Sequence, residues 1–227
     1  MRSRSFSFRG AIHVFNKDIR SELRTRYAIN ALLMFVLTTI SMILFAIGNE
    51  DVPADVLSGV LWVVIFFSSM SGMSRTFVAE EERGTVMTLQ LTTKPLTVYL
   101  GKLLFNIVLL SLLTVVAIAL YILVIDGFVV RSYSIFLLTV VLGTLGLACA
   151  STIIAAIIAK ANMRGALFTV LAFPILLPLL LTVINGTRLA VEGVEFQFAI
   201  DELKTLVSYL VVMVTLSLLL FEFIWRE

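Results

Sequence analysis

The densest group of reactive side chains is Glu80-Glu81-Glu82, three carboxylates in a row followed by Arg83. Carboxylates packed this closely can act as general acids and bases, hold a hard cation, or pair with basic groups on another protein. The supply of other groups narrows the choice. The chain has one histidine, His13, and one cysteine, Cys149, with no CxxC or CxxCH. A Ser-His-Asp or Cys-His arrangement, a zinc site, covalent haem attachment and an intramembrane His pair for haem iron all need more than this. No GxxxxGK[ST] phosphate loop occurs, so any ATP is expected to be hydrolysed by a separate chain. The sequence therefore predicts a non-catalytic protein that binds no cofactor or metal directly. Glu80 and Glu81 are then best read as exposed carboxylates that pair with basic groups on a partner, the plainer alternative being a solvated face.

Those acids sit in a segment with its own punctuation. Thr76–Arg83 has helical composition, Gly84 ends or interrupts it, Val86–Leu91 resumes apolar character, and Lys94-Pro95 stops it. The stretch from Ser74 to Lys102 is far longer than a link between two helices needs. An amphipathic helical segment bearing acids suits docking into a groove of a soluble partner.

What flanks that segment is membrane. Hydrophobic residues make up 60% of the 227, charged residues only 14%, against about 25% in globular proteins. Uncharged runs of 23, 19, 23, 28, 23 and 17 residues separate Arg26 from Glu50, Asp55 from Arg75, Lys102 from Asp126, Arg131 from Lys160, Arg164 from Arg188, and Lys204 from Glu222. Each can cross a bilayer as a helix, which takes roughly 20 apolar residues. The expected fold is an all-α integral membrane protein of one domain, with spans near 28–47, 55–73, 101–125, 133–159, 166–185 and 204–225 and a coupling loop at 74–100. Alternate loops carry 14 and 3 of the Lys and Arg residues, which puts both termini in the cytoplasm by the positive-inside rule. Polar residues dominate up to position 27 and no small-residue cleavage site follows the first apolar run, so the first span is expected to be retained.

Residues 6–27 read as an amphipathic basic helix in the cytoplasmic headgroup plane. On a wheel of 100° per residue, Phe8, Ile12, Phe15, Ile19 and Leu23 share an arc of about 80°, with Arg9, His13, Lys17, Arg20 and Arg24 on one flank of the polar face. The helix is either a positive-inside anchor or an elbow that helps hold a cytoplasmic partner. Outside, GNEDVPA at 48–54 and the loop at 126–131 are short connections, whereas 186–203 is longer and acidic and suits a small strand or an interfacial helix. Gly143, Gly146 and Ala150 recur at helical spacing in the fourth span, as close helix packing requires. Pro174 and Pro178 in the fifth each remove an amide donor and are expected to kink the helix. Tyr99 and Trp225, near span ends, read as interfacial aromatics. The uncharged runs contain no ionisable Asp, Glu, Lys, Arg or His, which argues against an ion-coupled transporter.

Six spans, an amphipathic first helix and an acid-bearing loop between spans two and three resemble the permease half of a type-2 ABC exporter. Phe77-x-x-Glu80-x-x-x-Gly84, then Leu89 and Leu91, then Pro95 and Lys102, are similar to the F-x-x-[DE]-x-x-x-G…L-x-L…P…K stretch of the haem exporter protein B family. Trp62, Leu142-Gly143-Thr144, Arg164-Gly165 and Pro174-Ile-Leu-Leu-Pro178 follow in the family's order over nearly the whole chain. Met87 stands where the family often carries a glutamate. The resemblance implies a permease of the bacterial inner membrane, present as a second copy in a complex with two copies of a cytoplasmic ABC ATPase docked on residues 76–95. It also implies a haem-handling membrane protein, a small single-span subunit and a periplasmic haem chaperone as companions, in service of cytochrome c maturation. Haem would be a cargo handled by those partners, or ATP would drive release of the loaded chaperone. The alternatives are an exporter of a lipid, glycan or drug in the same architecture, and a scaffold that moves nothing; nucleic acid is not an expected partner. Within this frame Phe77, Glu80, Glu81, Gly84, Leu89 and Leu91 form the expected coupling set, with Gly143, Gly146, Pro174 and Pro178 governing helix packing and bending.

Overall fold

In the computed structural model, six helices are long and apolar enough to cross a membrane, as the uncharged runs require. The structure describes residues 8–48, 50–73, 77, 80, 84, 87, 89, 91, 93–160 and 166–226, the side chains of 8, 25, 27, 28, 160, 166–169, 171 and 226 excepted. In chain order these give α1 (Phe8–Thr25), α2 (Tyr27–Ile47), α3 (Ala54–Met73), α4 (Pro95–Val124), α5 (Tyr133–Lys160), α6 (Ala166–Glu192) and α7 (Ile200–Arg226). No strand occurs among the described residues. A multi-pass membrane protein is the fold these elements fit.

The helix bundle is organised around α5, which packs against α4, α6 and α7 and is the most buried of the six spans. Its small residues allow this. A Cβ on Gly143 would lie 2.6 Å from Trp62 Cη2 and 2.6 Å from Val183 Cγ1, and one on Gly146 would lie 2.9 Å from Leu179 Cδ1. Glycine at these positions brings α3 and α6 into backbone-close contact with α5, where lipid supplies no hydrophobic drive and packing decides association. α2 and α7 lie at the periphery, with Met42, Phe45, Leu219 and Phe223 exposed. In a lipid solvent such residues are matched to their surroundings.

Two boundaries differ from the sequence expectation. The third span begins at Pro95, because a proline at the first helical position has no amide to lose and its φ is already helical. The 186–203 stretch is mostly helix: α6 runs on to Glu192, a 3-10 turn spans Phe196–Ala199, and α7 starts at Ile200. The backbone amides of Arg131 and Ser132 donate to the Ala190 carbonyl and tie the α4–α5 loop to that extended end. α6 is one helix through Pro174 and Pro178, and both prolines face outward. The Ile175 carbonyl between them accepts from the Tyr209 hydroxyl at 3.1 Å, a bond that joins α6 to α7.

α1 turns into α2 at Arg26, which adopts the left-handed conformation (φ 51°) and is the one non-glycine residue with positive φ among those described. Glu22 holds the corner: its Oε1 accepts from the Ile29 amide at 3.1 Å, placing a carboxylate at the exposed N–H groups that open α2.

Candidate functional site

α1 has three faces. Ala11, Val14 and Asp18 are buried, Phe15 and Ile19 are half-buried with Ile12 and Leu23 exposed beside them, and Arg9, His13, Arg20 and Arg24 face outward. The buried face is therefore the small one, and the large apolar residues that dominate the wheel lie off the protein contact. Gly101 in α4 explains why. A Cβ there would sit 2.6 Å from Val14 Cβ and 2.8 Å from the Ala11 carbonyl oxygen, so only glycine admits α1 this close.

This approach puts Asp18, one turn past Val14, next to Lys102, the neighbour of Gly101. Lys102 Nζ lies 2.9 Å from Asp18 Oδ2 and 2.9 Å from Glu80 Oε1. Lys17 Nζ also donates to Glu80 Oε1 and lies 3.7 Å from Asp18 Oδ1. Two cations and two anions from α1, α4 and the intervening segment thus balance in one cluster. Glu80, Lys102 and Asp18 are buried, and Lys17 is 43% exposed at its side chain. Isolated burial of any one charge would cost several kcal/mol, and the balanced arrangement offsets it.

Phe77 fixes the same segment to a second point. Its ring lies 5.7 Å from Phe221 and 6.4 Å from Trp225 in α7, and Tyr99 of α4 lies 4.9 Å from Phe221. Phe221 and Trp225 stack at 5.4 Å. Lys102 Nζ stands 5.9 Å from the Phe77 centroid, linking the aromatic and ionic groups. Tyr99 and Trp225, expected at an interface with lipid headgroups, are instead buried in this cluster. Their ring area is worth more against Phe77 and Phe221 than at the surface.

Beyond Glu80 the segment turns outward. Gly84 is exposed with φ 65°, a conformation that glycine adopts without strain. Met87 and Leu91 are 72% and 76% exposed, while Leu89 between them is half-buried against the core. Residues four apart on a helix share a face.

Of the expected coupling residues, the structure brings Phe77, Glu80 and Leu89 inward and leaves Gly84 and Leu91 outward; Glu81 lies outside the described residues. Glu80 is not an exposed carboxylate open to a partner's basic groups, because Lys17 and Lys102 already neutralise it inside the chain. The sequence pattern does not mark Lys17, Asp18 and Gly101 as site residues, and it marks Met87 only as a difference from the family. One signal was available: on the α1 wheel Asp18 falls beside Ala11 and Val14, and an acid on a small-residue face demands a buried cation.

The bundle interior holds a second polar set. Trp62 Nε1 donates to Thr187 Oγ1 at 2.8 Å across α3 and α6, Asn106 Nδ2 donates to Thr152 Oγ1 at 2.9 Å across α4 and α5, and Tyr121 donates to the Leu57 carbonyl at 2.9 Å. Near the α6–α7 corner, Asn185 Nδ2 donates to Glu202 Oε1 at 2.5 Å. These bonds fix helix register. Among the described residues, no three His, Cys, Asp or Glu side chains converge to hold a metal ion. His13 is exposed on α1 and Cys149 buried in α5.

Comparison with known proteins gives a family. The family model described as CcmB protein matches residues 9–224, nearly the whole chain. A comparison with curated proteins gives no match.

Proposed function

The chain belongs to the CcmB family, and from that premise we propose that its 77–91 segment receives an ABC-type ATPase and passes the closing motion of that ATPase into the six-helix bundle. Family membership makes the chain a non-catalytic membrane permease component of the haem exporter for cytochrome c maturation, in the bacterial inner membrane. The finer reading rests on one observation. The segment is anchored inward by Phe77, Glu80 and Leu89 and turns an apolar pair, Met87 and Leu91, outward. An exposed helical pair on a segment anchored to α1, α4 and α7 suits a groove-binding contact that must transmit force. Both termini and this segment face the cytoplasm in this reading, which puts the pair on the side where ATP is hydrolysed. Two ATPase copies, a second permease copy, a haem-handling membrane protein, a small single-span subunit and a periplasmic haem chaperone complete the assembly. Haem is cargo or the payload of the released chaperone, and its iron is ligated by partners, since this chain offers one histidine and one cysteine far apart in sequence.

The docking contact is tested by co-purification. Met87→Asp with Leu91→Asp removes two apolar contacts, each worth about 1.5–3 kcal/mol when buried, and is expected to lower ATPase recovery with the permease more than about tenfold. Recovery equal to the parent, at equal permease levels in the membrane, would place the contact elsewhere.

A further inference from the structure

We propose that Lys17, Asp18, Glu80 and Lys102 form a charge-locked joint that makes α1 move with the ATPase-docking segment, so that α1 is a second arm of the coupling device. This rests on the docking reading above. The joint connects residues distant in sequence: Lys17 and Glu80 are 63 apart and Lys102 and Glu80 are 22 apart. Its members come from α1, α4 and the 77–91 segment; Ala11 and Val14 pack small side chains on Gly101 between the first two, while Phe77 fastens the segment to Phe221 and Trp225 of α7.

The choice of charge at this place is informative. A buried ion cluster is seldom a better stabiliser than apolar residues of the same volume, and its attested use is to fix one register among several. An apolar contact between α1 and the segment would tolerate sliding, because dispersion is non-directional. Here Glu80 Oε1 accepts from both Lys17 and Lys102, and Lys102 bridges Glu80 and Asp18. A shift of the segment relative to α1 or α4 would separate the buried charges of Glu80 and Lys102 from their partners. Displacement at Met87 and Leu91 is therefore handed to α1 and the first turns of α4 together. The apolar stripe of α1 lies off this joint, with Ile12 and Leu23 exposed. Lys17, Asp18 and Lys102 are positioning residues in this scheme, acting through Glu80 on the segment that meets the ATPase.

The test is amide hydrogen exchange on the complex with its ATPase, comparing the nucleotide-free state with ATP plus vanadate. In the parent, exchange in α1 and in 77–91 is expected to change together, by at least about tenfold at the responsive amides. With Lys102→Glu, the segment should still respond while α1 responds less than about twofold, since the joint now carries three acids against Lys17. Lys102→Arg keeps a cation beside both Asp18 and Glu80 and should keep the α1 response. Lys17→Glu, at the half-exposed corner, gives the same loss with the least demand on folding. A parent in which the segment responds and α1 does not overturns the joint while leaving docking intact. A parent in which the segment itself does not respond removes the docking reading and the joint with it. An α1 response in Lys102→Glu equal to that in the parent and in Lys102→Arg, at equal membrane levels, reduces the cluster to a static staple and also overturns the proposal.

Discussion

At Gly143 the helices α3, α5 and α6 meet closely, and Gly143→Ala should be among the most costly small substitutions in the bundle. The added Cβ would stand 2.6 Å from Trp62 Cη2 and 2.6 Å from Val183 Cγ1, about 1 Å inside ordinary carbon–carbon contact. Neither neighbour has room to yield. Trp62 is buried and held by its Nε1 bond to Thr187 at 2.8 Å, and Val183 is fully buried. Overpacking of this kind costs about 1–3 kcal/mol. Trp62→Phe alone forfeits the indole bond, worth about 0.6–1.7 kcal/mol between membrane helices, and leaves a void. Combined, the two changes should offset one another, because the new methyl occupies part of the vacated indole volume. The expected coupling is at least about 0.5–1 kcal/mol in favour of the double variant. Unfolding in a mixed-micelle SDS titration can be followed through the single thiol, since Cys149 is buried in α5 and reacts with a maleimide only when the bundle opens. Gly143→Ala indistinguishable from the parent, or losses additive to within about 0.3–0.5 kcal/mol, would refute the claim that α3, α5 and α6 meet as rigid surfaces at this point.

Gly101→Ala should push α1 off α4, since its Cβ meets the Ala11 backbone, and limited proteolysis in α1 is expected to quicken by an amount matching about 1–3 kcal/mol. Glu22→Ala leaves the Ile29 amide without its carboxylate and should lower stability by about 0.5–2 kcal/mol in the same titration, with Glu22→Asp intermediate. Tyr209→Phe removes the donor to the Ile175 carbonyl and should cost about 0.6–1.7 kcal/mol.

How much of this was legible in the sequence differs by element. The six spans were, because a bilayer demands an uncharged run of fixed length and the charges mark its ends. The close packing at Gly143 was visible as small residues at helical spacing, but its partners, Trp62 and Val183, are tertiary facts. Amphipathicity in α1 was visible, yet the contact face was not. A hydrophobic wheel weighs Phe15 and Ile19 above Ala11 and Val14, whereas glycine on the facing helix selects the small residues. The misplacement of Glu80 has the same root. Three consecutive acids read as a surface, and nothing local says that one of them turns inward toward cations 63 residues before and 22 after it. Tyr99 and Trp225 sit at helix ends, where lipid headgroups and a buried aromatic cluster call for the same residues. The 186–203 stretch alternates apolar and polar residues too briefly to separate a strand from a 3-10 turn.

The most direct measurement is a haem stain of membrane c-type cytochromes in a bacterium lacking its own copy of this permease. It should be complemented with the intact chain, the Met87→Asp/Leu91→Asp variant, Lys102→Glu or Lys102→Arg. Staining restored by the intact chain and by Lys102→Arg, and by neither of the others, is the expected result. Full staining without complementation would remove haem maturation from the role of this chain, and full staining with Met87→Asp/Leu91→Asp would contradict energy transfer through the 77–91 segment.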